Sequence, residues 1–499
     1  MKIGGVIWRN YRQIWTRLSQ LDNGHHKRVV FSQHVANRCD DAGSTLSYPK
    51  LTPQQVSSIL RNNENTFELK RGKSVRSFDT NQLASNDPIE DRRSEARLTQ
   101  TDGLMFGVFD GHAGCACAQA VSERLFEYIA VSLLPPHLLD EFNHALKDRL
   151  PSVNTWLLNW YRHDNDYFNT SMASLYRSNL HRYVTEMLST SCMEDDHEFV
   201  MWDALTSAFV RLDQDISTEA MPGANGLVIN PEMIDIAFSG TVACVAHIDG
   251  PHLHIANSGD SMAVLGSYDE DQNRWHATEL SKEHNAQNLT EVKRIKDNHP
   301  SSESNFVIKN DRLLGQLAPL RAFGDVRYKW QHADLKKLTM AMNTPYAQNF
   351  IPPNYYTPPY LTVSPEIKYH RLRSQDKFLI LATDGLWDML SPDMVIRLVG
   401  QHMTGKQTYD PYVPNKGVKL KDINSVLLKR KSGIENRAID KNSATHLIRN
   451  ALGTSEFGVQ HNKLSLMLSI PQDIVRLYRD DITVTVIFFD QDFLRTCPA

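Results

Sequence analysis

Apolar positions along the chain fall into blocks whose period changes. Leu104-Met-Phe-Gly-Val-Phe109 is a short run of mostly apolar residues, which predicts a buried strand. From about Ala113 to Leu134 the period becomes helical. Cys115, Ala118, Val121, Leu125, Tyr128 and Ile129 form one stripe, and Glu123, Arg124 and Glu127 lie outside it. The helical pattern continues from Pro135 to about Asp215, with Trp156, Trp160, Tyr161, Tyr176 and Tyr183 as core aromatics and a clear amphipathic helix over Ala204–Asp213. The texture changes at Ser239. Ser239–Ile248 reads as a buried strand, Asp249-Gly250 as a hairpin turn and His252–Ala256 as the return strand. A turn and a further strand follow over Asn257–Leu265. Residues 281–299 read as a polar helix and 344–360 as a surface loop rich in Pro, Tyr and Asn. Leu361–Tyr369 is a strand that Pro365 confines to an edge. Lys377–Thr383 is a second strongly buried strand, Ala444–Leu452 a helix and Ile482–Phe489 a last strand. Successive strands without alternating helices argue for antiparallel pairing, not for βαβ units.

Residues 1–21 carry Lys2, Arg9, Arg12 and Arg17 and no acid, while Ile3, Ile7, Tyr11, Ile14, Leu18 and Leu21 share one helical face. A basic, acid-free amphipathic leader predicts a mitochondrial targeting segment over 1–38; a helix resting on a membrane surface is the alternative. Residues 39–85 are polar and mixed, and read as an amino-terminal arm. Inserts are expected near 330–360 and 401–442, the second polar and basic and read as a loop. Net charge is −4 and pI about 6.6, so no general pull toward nucleic acid is expected. No apolar run reaches the roughly 18 residues of a membrane span. The six cysteines are scattered, which fits neither a disulfide scaffold nor a zinc knuckle, and points to a reducing compartment.

Acidic residues gather at the predicted strand ends. Asp110-Gly111 closes the first buried strand and Asp384-Gly385 the second. Glu90-Asp91 sits where an extended segment begins to pair with Leu104–Phe109, Asp480-Asp481 opens the last strand, and Asp260 lies in a turn between strands. Asp388 follows Asp384 by one helical turn. Any one of these could be a helix cap or a surface acid. Four strands flanked in this way need counter-charge, because buried unpaired carboxylates cost several kcal/mol each. An all-oxygen set without a His/Cys cluster favours Mg²⁺ or Mn²⁺ over zinc. Asp325, in the tight loop Arg321-Ala-Phe-Gly-Asp325, is assigned a structural role, with a place in a metal shell as the alternative.

The ordered series Glu90-Asp91, Phe109-Asp-Gly-His-Ala-Gly114, Ser239-Gly-Thr241, Gly259-Asp-Ser261, Arg321-Ala-Phe-Gly-Asp325, Asp384-Gly-Leu-Trp-Asp388 and Arg479-Asp480 resembles the metal-dependent protein serine/threonine phosphatases of type 2C. The motifs span about residues 85–490, so the catalytic domain is placed at 86–490. His112-Ala-Gly-Cys-Ala-Cys117, Asp311-Arg-Leu-Leu-Gly315, Phe350–Tyr360 and Ala444–Arg449 are similar to the branch that acts on the pyruvate dehydrogenase component in the mitochondrial matrix. The resemblance implies an α+β fold of two stacked antiparallel sheets flanked by helices. It implies two Mg²⁺ or Mn²⁺ ions bridged by Asp110, with Asp91, the Gly111 carbonyl, Asp384 and Asp480 completing the shells. Glu90 would hold metal-bound water, and Asp260 and Asp388 a weaker third site. His112 would protonate the leaving serine oxygen. It further implies docking to the lipoyl domain of the acetyltransferase core, Ca²⁺ at a partner interface, and a regulatory subunit.

Two departures from the family pattern stand out. The arginine that many members place four residues before the first acid, as a phosphate clamp, is Asn86 here, so phosphate affinity is expected to rest more on the metals, or on Arg92 or Arg93. The last motif reads Asp480-Asp481, so the ligand is one of the two. The expected activity is hydrolysis of phosphoserine on the pyruvate dehydrogenase component. The alternatives are another matrix phosphoprotein or a catalytically silent docking subunit.

Overall fold

The structure is a computed structural model. It describes residues 50–497 except 71, 149–155, 164–165, 167–168, 192–199, 223–228, 343–349, 406–413, 415–416, 436–439 and 456–457. The leader and the start of the arm therefore lie outside the described residues, as do parts of both inserts. The chain divides into two compact units, and each is built on one six-stranded sheet.

In the first unit the strand order is Glu366–Arg371, His252–Ser258, Ala243–Asp249, Leu104–Phe109, Arg92–Leu98 and Leu158–Trp160, all antiparallel. Every residue of Leu104–Phe109 is buried, as a central strand covered on both faces requires. The Glu366–Arg371 strand lies at an edge and starts just after Pro365, which cannot donate to a ladder. Helices Ala116–Ser132, Met201–Ala220 and Pro231–Phe238 pack together, and their apolar faces share one core with Phe109, Val245 and Ala256 of the sheet. Three expectations shift here. Leu158–Trp160 is a strand inside the stretch read as helical, held by Phe126 stacked on Trp160 at 5.6 Å. The polar helix over 281–299 begins only at Leu289, behind an Asn288 cap that accepts from Thr290 N and Glu291 N. Gly111, read with Asp110 as closing the first buried strand, instead continues as a two-residue strand with His112, paired with Gly240-Thr241.

In the second unit the order is Asn65–Glu68, Val75–Leu83, Ile482–Phe489, Asp376–Ala382, Met262–Asp269 and Arg274–Glu279. Ile482–Phe489 pairs antiparallel with both of its neighbours. The arm expected over 39–85 is corrected by this sheet: from Pro53 it supplies a helix and two strands. The sequence of Val75–Leu83 hides its burial because its polar side chains are spent inside. Asp79 Oδ2 accepts from Ser443 N and Ser443 Oγ, both at 2.7 Å, and Asn81 Nδ2 donates to Leu60 O and Thr445 Oγ1. These bonds tie the strand to the amino end of the Ser443–Gly453 helix, which packs on it and on Ile482–Phe489. The 401–442 insert, read as a loop, contains the helix Leu420–Glu435, in which Leu427 and Leu428 are exposed. The α+β class with antiparallel sheets and attached helices stands as expected. Among the described residues no helix is long and apolar enough to cross a membrane.

Candidate functional site

The first unit gathers its candidates at one end of the Leu104–Phe109 strand. The ladder ends on the pair Arg92–Phe109, and Asp91 and Asp110 each lie one residue beyond that last rung. Asp91 is only 1% exposed. Asp110 is fixed through its backbone: its carbonyl accepts from Val242 N and from Thr241 Oγ1, each at 2.9 Å. That is the use of Thr241 in the Ser-Gly-Thr motif. Asp260 sits in the adjoining turn, where Gly259 N donates to His284 Nδ1 and Gly259 O accepts from His284 N.

His112 meets Asp325. The Nε2–Oδ2 distance is 2.5 Å, and Asp325 is 3% exposed with φ of 49°. Gly240 makes the meeting possible: a Cβ there would lie 2.1 Å from His112 Nε2 and 2.2 Å from Asp325 Oδ2. Burial works against protonation of His112, but the carboxylate of Asp325, joined by Asp260 and Glu90, outweighs it and raises the imidazole above the usual histidine range. Sequence reasoning gave Asp325 a structural role and missed this pairing. The signal was the Arg321–Asp325 motif itself, whose chemistry shows only once His112 is seen beside it.

The second unit holds the other acids. Asp384 opens a one-turn helix, and its Oδ1 is buried without a hydrogen-bond partner. The strand end beneath it is locked by Thr383 N donating to Thr483 O and by Thr483 N donating to Thr383 Oγ1. Gly385 is pressed onto the neighbouring chain, where a Cβ would stand 2.0 Å from Asp481 O. Asp388 is exposed, and its N donates to Asp384 O at 2.8 Å.

Asp480 and Asp481 part company. Asp481, 2% exposed, accepts from Ser85 N, and from Asn86 N and Asn86 Nδ2 at 2.8 Å each. It is an anchor for the incoming chain. Asp480 pairs with Arg476 and keeps a partly exposed carboxylate. Asn86 is thus bonded to Asp481 through both its backbone and its side chain. Arg93 is likewise committed, to Glu95 at 2.8 Å and Asp166 at 3.0 Å. Arg92 donates to Gln119 Oε1 and to Asp91 O.

Among the described residues no three His, Cys, Asp or Glu side chains stand together as a finished cage for an ion. The acids come as smaller groups at strand ends. The donor set nevertheless suits a hard cation. It is oxygen only, and an orphaned buried carboxylate oxygen such as Asp384 Oδ1 is costly unless a cation meets it. A cysteine route has no support, since burial pushes the Cys117 thiol well up, away from the reactive thiolate.

A family model described as Protein phosphatase 2C matches residues 154–428. The chain is 49% identical over 452 residues to [Pyruvate dehydrogenase [acetyl-transferring]]-phosphatase 1, mitochondrial, of Bos taurus and of Homo sapiens, covering 88% of this chain and 83% of each relative. It is 42% identical over 495 residues to [Pyruvate dehydrogenase [acetyl-transferring]]-phosphatase 2, mitochondrial, of Homo sapiens, covering 97% and 91%. Because the family model takes in more than half of the chain and these relatives align along most of their length, the chain belongs to the protein phosphatase 2C family.

Proposed function

We propose that this phosphatase hydrolyses phosphoserine on the pyruvate dehydrogenase component of its complex in the mitochondrial matrix, and so reactivates it. The observation that carries the substrate is the 49% identity to relatives named for that activity. The chemistry is supported by Asp91 and Asp110, each one residue past the last Arg92–Phe109 rung, with the His112–Asp325 pair beyond them.

Asp91, Asp110, the Gly111 carbonyl, Asp384 and Asp480 are the residues that would hold a pair of Mg²⁺ or Mn²⁺ ions, with Glu90, Asp260 and Asp388 in supporting places. When bound, such ions supply Lewis acidity and a water acidified toward neutral pH. The chain's own part is to hold and to protonate. Thr241 and Val242 fix the Asp110 backbone, so its carboxylate is presented without reorganisation. His112 carries the proton that the departing serine oxygen needs. Asn86, Arg92 and Arg93 are the candidates for the substrate phosphate, beside the ions themselves. Docking to a lipoyl domain, Ca²⁺ at that interface and a regulatory subunit belong to the same reading, with Leu420–Glu435 as a candidate contact element.

The test is phosphate release from phosphorylated pyruvate dehydrogenase, with Mg²⁺ and after chelation. Activity is expected only with metal, and Asp110→Asn is expected to lower kcat by about 100-fold or more. Equal rates on an unrelated phosphoprotein would remove the narrow substrate. Metal-independent activity, or none at all, would remove the mechanism.

A further inference from the structure

The loop that ends on Asp325 is braced far more heavily than a connecting turn requires. Arg321 donates to both oxygens of Glu291 at 2.8 Å and to Ser364 O at 2.7 Å. Gly324 N donates to Asp213 Oδ1 at 2.9 Å, and Lys329 Nζ donates to both Asp213 oxygens and to Ala322 O. Asp325 N donates to Ser239 O at 3.0 Å. All of this holds one carboxylate, in a left-handed backbone conformation, against one imidazole nitrogen. A residue held at φ of 49° costs free energy that the surroundings must offset, and such strain collects at working sites.

From this geometry we propose that Asp325 is the positioning residue for His112: it accepts the Nε2 hydrogen, fixes the ring's tautomer and orientation, and leaves Nδ1 to carry the proton for the leaving group. The inference rests on the phosphatase reading above and adds a residue to it. In the step it serves, the oxygen of water bonds to phosphorus as the P–O ester bond breaks. The electron pair of that bond stays on the serine oxygen, which takes the proton from His112 Nδ1. The proton that the attacking water loses restores the histidine, so atoms and charge balance. Asp325 touches neither substrate nor phosphate. A carboxylate behind a histidine works in this way by selecting one tautomer and one ring pose.

The experiment compares two substrates that differ in what their leaving group needs. A phosphoserine peptide releases a poor leaving group that must be protonated, whereas p-nitrophenyl phosphate releases a stable phenolate. Asp325→Asn keeps shape and tolerates the left-handed backbone. It is expected to lower kcat on the peptide by roughly 10- to 100-fold with KM little changed, and to leave p-nitrophenyl phosphate hydrolysis within about two-fold. In a His112→Gln background Asp325→Asn is expected to add no further loss, as for residues that act as a unit. Equal losses on both substrates would mark a merely structural role and overturn the proposal, as would full peptide activity in Asp325→Asn. The ¹⁵N shifts of His112 in the metal-free protein give a readout independent of turnover. At a pH where the ring is neutral, an Nε2-protonated ring in the wild type that changes tautomer in Asp325→Asn supports the proposal; the same tautomer in both overturns it. Should the wild type hydrolyse neither substrate with Mg²⁺ or Mn²⁺, the phosphatase reading itself fails, a result distinct from any of these.

Discussion

At the scale of single residues, close approach explains more than charge does. Gly385 lies against the Asp481 carbonyl, and backbone cannot yield as a side-chain tip can. Gly385→Ala is therefore expected to cost about 1–3 kcal/mol or more, seen as an earlier midpoint in urea unfolding. Glu291 gives a pH signature. Burial alone would raise its pKa, but the guanidinium groups of Arg321 and Arg294 outweigh burial and hold it at about 2. A carboxyl whose folded value lies below its unfolded value of 4.5 adds stability above 4.5 and loses it as pH falls toward 2. The melting temperature of wild type should thus exceed that of Glu291→Gln at neutral pH, and the gap should close between those two values. A gap that stayed constant with pH would show that the ion pairs contribute nothing. The places of Asp110, His112 and Asp384 were legible at this scale, because they sit at ends of strands whose apolar runs are plain. The partners of Asp481 and His112 were not. Asn86 lies almost 400 positions from Asp481, and Asp325 lies 213 positions from His112. No local pattern announces bonds of that span.

At the scale of elements, strands buried on both faces with apolar residues announced themselves, and strands with buried polar faces did not. Leu104–Phe109 and Ile482–Phe489 are of the first kind. Val75–Leu83 is of the second, because Asp79, Thr80 and Asn81 look solvated until the Ser443–Gly453 helix is found above them. The Leu420–Glu435 helix was hidden for a different reason: its described residues are largely exposed, and its lysines resemble a loop. If residues 53–83 are part of the second unit's core, Phe78→Ala, at a fully buried side chain stacked on Phe67 at 4.9 Å, should cost about 3–5 kcal/mol. Thermal melting checks it. An unchanged melting temperature would return the segment to the status of an arm. Deleting residues 50–83 is expected to give insoluble protein for the same reason, since it strips a whole edge from the Ile482–Phe489 strand.

At the scale of the whole molecule, the carboxylates proposed to hold metal in this member of the protein phosphatase 2C family come from both units. Asp91 and Asp110 stand on one, and Asp384 and Asp480 on the other. Composition and charge gave no general pull toward nucleic acid and were silent about substrate, which is carried by the relatives. The most direct measurement is anomalous diffraction from crystals soaked in Mn²⁺. Two peaks are expected about 2.0–2.6 Å from carboxylate oxygens, one or both touching Asp110, with Asp384 Oδ1 no longer orphaned and Asp480 turned from Arg476 to the ion. Crystals that bind Mn²⁺ elsewhere, or that leave Asp110 and Asp384 without an ion in the presence of saturating metal, would contradict the account.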